Sequence, residues 1–158
     1  MYAYRFVMIG VPALAIAACN PFHQSVRMNQ DVNYGQRWHG TLTSPAYLSG
    51  AVQIQGTASM APGSDGQKTT VTVMVSNAAP GGVHPWEVHQ GQCGADQGIF
   101  GPQDEYKPIK IGSDGKGEEK ATIPMPTPTF GNYFVLLHAS SQNRETVIAC
   151  GNMAPPAQ

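Results

Sequence analysis

The sequence predicts an all-β domain, a sandwich or barrel of seven or eight short strands. Three observations carry that expectation. Gly and Pro number 18 and 13 of 158 residues and fall in recurrent turn-forming clusters. No long stretch repeats apolar residues at helical spacing, whereas several short runs alternate apolar and polar residues with the period of a half-buried strand. The length suits one domain. Charged residues make up only 12%, with a net charge of −1. The clustered Lys and Arg of a nucleic-acid footprint are missing, and nucleic acid is not an expected partner.

The first 18 residues carry one basic side chain, Arg5, and then an apolar run from Phe6 to Ala18. The run is too short, and too interrupted by Gly10 and Pro12, to span a bilayer, so it reads as a signal peptide. It ends in "IAAC", which resembles a bacterial lipobox. The resemblance implies that Cys19 is acylated and opens the mature chain, more than one acyl chain being what stable anchoring requires. Ordinary cleavage after an A-x-A-like site, with Cys19 incidental, is the alternative. Asn20, rather than Asp, favours the outer membrane over the inner one, with the protein facing the periplasm. If Cys19 carries lipid, Cys93 and Cys150 remain as an even pair in an oxidising compartment, where a disulfide is expected. Closing the loop between them stabilises the fold by roughly 4 kcal/mol in the chain-entropy model.

Residues 19–45 are polar, rich in Asn and Gln, and without sustained period; they read as a tether from the lipid. His23 and His39 fall here as solvated residues. The domain is expected over 46–153, with 154–158 as a tail. "AVQIQGTAS" alternates, with Val52, Ile54, Gly56 and Ala58 on one face. "APGSDGQ" is a turn. "KTTVTVMVSN" puts Val71, Val73 and Val75 inward and Thr70, Thr72 and Met74 outward. "AAPGG" turns the chain into "VHPWEVHQGQC". A Gly-rich loop then runs to Tyr106, followed by "KPIKIG", the turn "SDGKG" and the strand "EEKATI". "PMPTPTFG" leads to "NYFVLLH", and "TVIACG" closes the domain. No internal repeat is present.

Residues 81–93, "GGVHPWEVHQGQC", concentrate the chemistry. On a strand, His84, Trp86 and Val88 share one face and Pro85, Glu87 and His89 the other. Trp86 and Val88 belong inside, so His84 goes inward as a hydrogen-bonded structural residue. Glu87 and His89 project from the barrel's outside as half of a metal site.

These motifs resemble the Cu/Zn superoxide dismutases from about Ala51 to Met153. "HPWEVHQGQC" is similar to the family's H-G-F-H-[VI]-H strand with its following glycine and cysteine. "FGPQDEY" lies where the family has G-P-H-F, "FVLLH" ends at His138 as the family's V-V-H does, and "IACGNM" carries the partner cysteine, Cys150. The resemblance implies a Greek-key β-barrel of antiparallel strands, an immunoglobulin-like sandwich architecture. It implies that His84 is structural, that His89 and His138 match copper ligands, that Glu87 replaces a copper-ligand histidine, and that Gln103, a weak donor, replaces the copper–zinc bridging histidine. The remaining zinc ligands have no counterpart, and the loop from Cys93 to Tyr106 is too short to supply them. Val147 occupies the position of the family's superoxide-guiding arginine; Arg144 lies three residues earlier. Only a short segment separates His138 from Cys150, so the family's electrostatic loop is largely missing.

These departures weigh against zinc, whose structural sites want four ligands, and leave copper as a possible cofactor, with zinc the lesser candidate. Dismutation alternates Cu(II) with Cu(I), and a carboxylate suits the harder ion, so Glu87 hinders the cycle. No catalytic residue is assigned. Three readings follow: a superoxide-dismutase-like envelope lipoprotein with a degenerate site, weak or no dismutase activity and residual copper or zinc binding; a working copper-only dismutase; or a metal-free binding module for another envelope component. The sequence contains no G-x-S-x-G, phosphate loop or Cys-x-x-Cys. Met60, Met74 and Met125 are scattered and read as filler rather than copper handling.

Overall fold

The computed structural model describes residues 37–50 and 53–156. The signal segment, Cys19, Asn20, His23 and Val52 lie outside the described residues. Among the described residues ten strands are formed: β1 (Trp38–Thr43), β2 (Gln55–Pro62), β3 (Thr69–Ser76), β4 (Val83–His84), β5 (Trp86–Gln92), β6 (Ala95–Ile99), β7 (Ile109–Lys110), β8 (Gly117–Ile123), β9 (Tyr133–Ser140) and β10 (Asn143–Ala154). The only helical elements among the described residues are two 3₁₀ turns, Ala46–Leu48 and Gln103–Glu105.

Eight strands form one antiparallel sheet in the order β6-β5-β9-β10-β1-β2-β3-β8, and β4 and β7 form a small second sheet. From β3 the chain passes through β4 to β5, beyond β2, β1, β10 and β9; from β6 it returns through β7 to β8 at the opposite edge. These two crossings make the topology Greek-key. The sheet curls until its two ends share one core. Val71 and Val73 from β3, Trp86 and Val88 from β5, and Ile109 from β7 all belong to one cluster and are fully buried. Trp86 packs edge-on against Tyr106, with centroids 5.1 Å apart, and donates its indole N–H to the Lys107 carbonyl at 2.8 Å.

The alternation in the sequence maps closely onto β2 and β3. Ala58, Val71, Val73 and Val75 are buried and Met74 is half exposed. Two segments differ from expectation. The range read as a tether contains β1, so the fold includes residues from Trp38 on, ahead of the expected boundary near residue 46. Only Trp38 and Leu42 point inward from β1, too few to show a period, yet both are fully buried. Burying a side chain of this size stabilises by roughly 2–3 kcal/mol, and β1 is held on both flanks by β10 and β2. His39 sits on this strand, not in a tether, and is solvent-exposed as expected. The second difference is β6, inside the range read as a Gly-rich loop. Gly94, at φ 85°, turns the chain back on β5, and the strand at this edge is too polar to read as one.

Cys93 and Cys150 are disulfide-bonded, with Cα atoms 6.1 Å apart across 57 residues. The bond ties the residue that follows β5 to β10.

Candidate functional site

β5 separates its two faces as strand geometry requires. Trp86 and Val88 enter the core; Glu87 and His89 point the other way. In the ladder with β9, Glu87 lies opposite Leu136 and His89 opposite Phe134. The His138 N–H donates to the Pro85 carbonyl at 2.8 Å. His138 therefore shares the outer face with Glu87 and His89. That face is not solvated here: Glu87 is 2%, His89 7% and His138 8% exposed. Arg144 from β10, Gln103 from its 3₁₀ turn and Asp96 from β6 reach these three side chains.

Glu87 is the centre of the network. Its Oε2 accepts a hydrogen bond from His138 Nε2 at 2.8 Å. Its Oε1 accepts one from Gln103 Nε2 at 3.3 Å and pairs with the Arg144 guanidinium. A buried carboxylate needs compensation of this kind, because removing an ion from water costs several kcal/mol. As Nε2 of His138 is the donor, Nδ1 carries the lone pair; it is buried and makes no hydrogen bond. Burial lowers the pKa of His138 from its ordinary value, against the raising influence of the Arg144 backbone carbonyl and the Asp96 charge.

His89 has a separate partner. Its Nδ1 donates to Asp96 Oδ1 at 2.8 Å, and its ring lies 5.5 Å from that of Phe134. Its Nε2 is buried without a hydrogen bond. Partial burial raises the pKa of Asp96, but hydrogen bonds from the Gly98 N–H and from His89 outweigh it, and the carboxyl ends below its ordinary value.

His84, expected to point into the core with Trp86 and Val88, is only partly buried and lies outside the core cluster. Its Nδ1 lies 2.9 Å from the Ala139 carbonyl and 3.1 Å from that of His138, and donates to this pair. The ring thus fastens β4 to the end of β9, the strand that carries His138.

Of the residues expected to share one ion, Glu87, His138 and Gln103 meet, while His89 turns to Asp96. Among the described residues no group of three or more His, Cys, Asp or Glu side chains is placed to hold one metal ion. The decisive feature is positive rather than absent: the carboxylate that would serve as third ligand is already neutralised by Arg144. A cation entering here would face that guanidinium, and two unit charges 4 Å apart repel by about 4 kcal/mol at an effective dielectric constant near 20. The residues present therefore do not fit a copper ion held by Glu87, His89 and His138 as they stand.

Arg144 was visible in the sequence but its direction was not. Asp96 was hidden by the reading of its segment as loop; the "CGAD" turn that places it against His89 was the available signal. No protein-family model matches the chain and no curated protein is significantly similar to it, so the site is judged by its own chemistry.

Proposed function

We propose that the protein is a superoxide-dismutase-like lipoprotein of the bacterial envelope, anchored through Cys19 in the outer membrane and facing the periplasm, with a degenerate metal site and weak or no dismutase activity. The observation that carries the degenerate site is the buried Glu87 carboxylate, bound by Arg144, Gln103 and His138 together. Dismutation needs a metal that exchanges one electron and an open path for an anion. Here an internal cation takes the place where such charge would be expected, and its partner is an anionic oxygen ligand that disfavours Cu(I). The barrel then serves as a rigid envelope module, with copper or zinc binding weak at most.

Metal analysis of protein purified without added metal tests this reading. Well under one equivalent of copper or zinc is expected, and copper-loaded protein should dismutate superoxide no faster than free copper. A full equivalent of copper, with activity that disappears in His89→Ala, would overturn it. The anchor has its own test: Cys19→Ser should move the protein from the membrane to the soluble periplasmic fraction.

A working copper-only dismutase is the second reading. One observation favours it: Asp96 fixes the tautomer of His89 and leaves a buried, unpartnered Nε2, which is how a carboxylate prepares a metal-binding imidazole.

A further inference from the structure

Phe130 is 83% exposed, more than any other large apolar side chain among the described residues. It sits in the β8–β9 connection, residues 124–132, "PMPTPTFGN", which has no charged residue and three prolines. Proline restricts the backbone, and the loop is further fastened to the barrel. Trp38 donates its indole N–H to the Pro128 carbonyl at 2.7 Å, and the Thr69 hydroxyl donates to the Met125 carbonyl at 2.8 Å, with Thr127 Oγ1 3.0 Å away. Met125 beside it is 38% exposed. An exposed phenylalanine held out on a pinned, uncharged loop is placed for contact with an apolar phase.

Its position says which phase. Trp38, which holds the loop, is the first residue of β1, so the chain leading back to Cys19 joins the barrel at this same end. The ladders agree: Trp38 pairs with Met60, His39 with Ala154, and Met153 with Tyr133 at the start of β9. The β9–β10 turn and the β4–β7 sheet, with Val83, lie at the other end. The β2–β3 turn at this end carries one acid and one base, Asp65 and Lys68, and Asp96 lies opposite Gly91, whose N–H donates to the Asn132 carbonyl; among the described residues no cluster of basic side chains is formed, so the contact is apolar rather than a polybasic attraction.

We infer that the 124–132 loop is a second, non-covalent membrane contact, with Phe130 and Met125 entering the lipid interface and setting the barrel upright on the bilayer. This rests on the anchoring of the chain through Cys19. The occupant of the surface is a lipid headgroup and upper acyl layer, and the candidate site, on the outer face of β5 and β9, is then turned sideways into the periplasm.

Phe130→Trp and Val83→Trp test this in detergent-extracted protein reconstituted into phosphatidylcholine vesicles. Trp38 and Trp86 are fully buried and give a constant background. With lipid brominated high on the acyl chain, the added emission of Phe130→Trp should fall by roughly half, since interfacial side chains sit about 5–10 Å into the boundary. Val83→Trp should be unaffected. No quenching of Phe130→Trp, or equal quenching of both, overturns the proposal. So does a concentration-dependent blue shift of Phe130→Trp without vesicles, which would mean that a second copy covers the loop. Intact mass reports the acylation of Cys19 separately. Should Cys19 prove unacylated, the anchor reading fails by that measurement alone. The chain is then coupled through Cys19, the only cysteine outside the disulfide, to a maleimide-headgroup lipid, and the same quenching comparison decides the loop.

Discussion

Arg144 neutralises a carboxylate that is only 2% exposed, while its own side chain keeps 37% of its surface in water. The asymmetry shapes the energetics. Removing the arginine leaves Glu87 buried with Gln103 and His138 as its remaining donors. Breaking a fully buried pair costs 3–5 kcal/mol, and solvent screening of the half-exposed partner reduces this, so Arg144→Ala should destabilise by about 2 kcal/mol. Glu87→Leu combined with Arg144→Met should be close to neutral, because no charge is left stranded. Urea unfolding of the single and double variants reads both, and a double variant as unstable as Arg144→Ala would contradict this account. Arg144→Met alone should also raise affinity for a divalent ion, by freeing the carboxylate. His138 adds a pH dependence. Its folded pKa lies below the ordinary 6.5. Between that lowered value and 6.5 the unfolded chain binds the proton and the folded chain does not, so stability falls as pH drops through the window and is regained above it. Unfolding midpoints compared at about pH 7.5 and about pH 5.5 should show this loss, and His138→Gln should lessen it. At this scale the sequence revealed which residue types would gather but not their directions. The i, i+2 spacing placed Glu87 and His89 on one face; whether His89 would turn to Asp96 depended on a hairpin whose strand carries almost no apolar residue.

That hairpin is the element on which the His89 environment depends. Gly91 has φ 102°, and a Cβ there would lie 2.2 Å from the Ala95 carbonyl oxygen. Both facts exclude an ordinary side chain, because the left-handed backbone is costly for residues other than glycine and the opposing strand is too close. Gly91→Ala should therefore open the β5–β6 turn at a cost of about 1–3 kcal/mol, and should separate Asp96 from His89. The His89 ring resonances in NMR should then lose the signature of a carboxylate-bound Nδ1–H; an unchanged spectrum would mean that β6 is positioned by something else. Elements with clean alternation, β2 and β3, were legible in the sequence because each buries one whole face. β6 was not, since an exposed edge strand has no buried face to advertise, and β1 was not, since two inward residues make no pattern. The disulfide was legible from the cysteine arithmetic and from the motif, and it lies where both put it.

For the whole molecule, the Greek-key arrangement makes the chain's beginning an interior matter. β1 lies between β10 and β2 in the middle of the sheet, so the domain is incomplete without a segment that reads as tether. Trp38→Ala should cost about 3–5 kcal/mol, the range for deleting a large buried aromatic, and should loosen the 124–132 loop as well. A thermal melt unchanged by this substitution would show that the domain begins later. The all-β class was readable because composition and period act over the whole chain; the full set of strands was not, since β1 and β6 escaped, and neither was the sheet order, because pairing between distant strands leaves no local trace. The placement of β1 also has a mechanical consequence. The chain from Cys19 enters at Trp38, and the strand runs from there into the barrel, pairing with β2 from Trp38 opposite Met60 to Thr43 opposite Gln55. Ladder hydrogen bonds lie across the strands. Tension on the leader pulls along β1, so the rungs on that side are loaded together in shear, with those to β10 on the other, rather than peeled one at a time. Under the proposed anchoring through Cys19, the end of the fold that takes the pull is the one least easily unzipped.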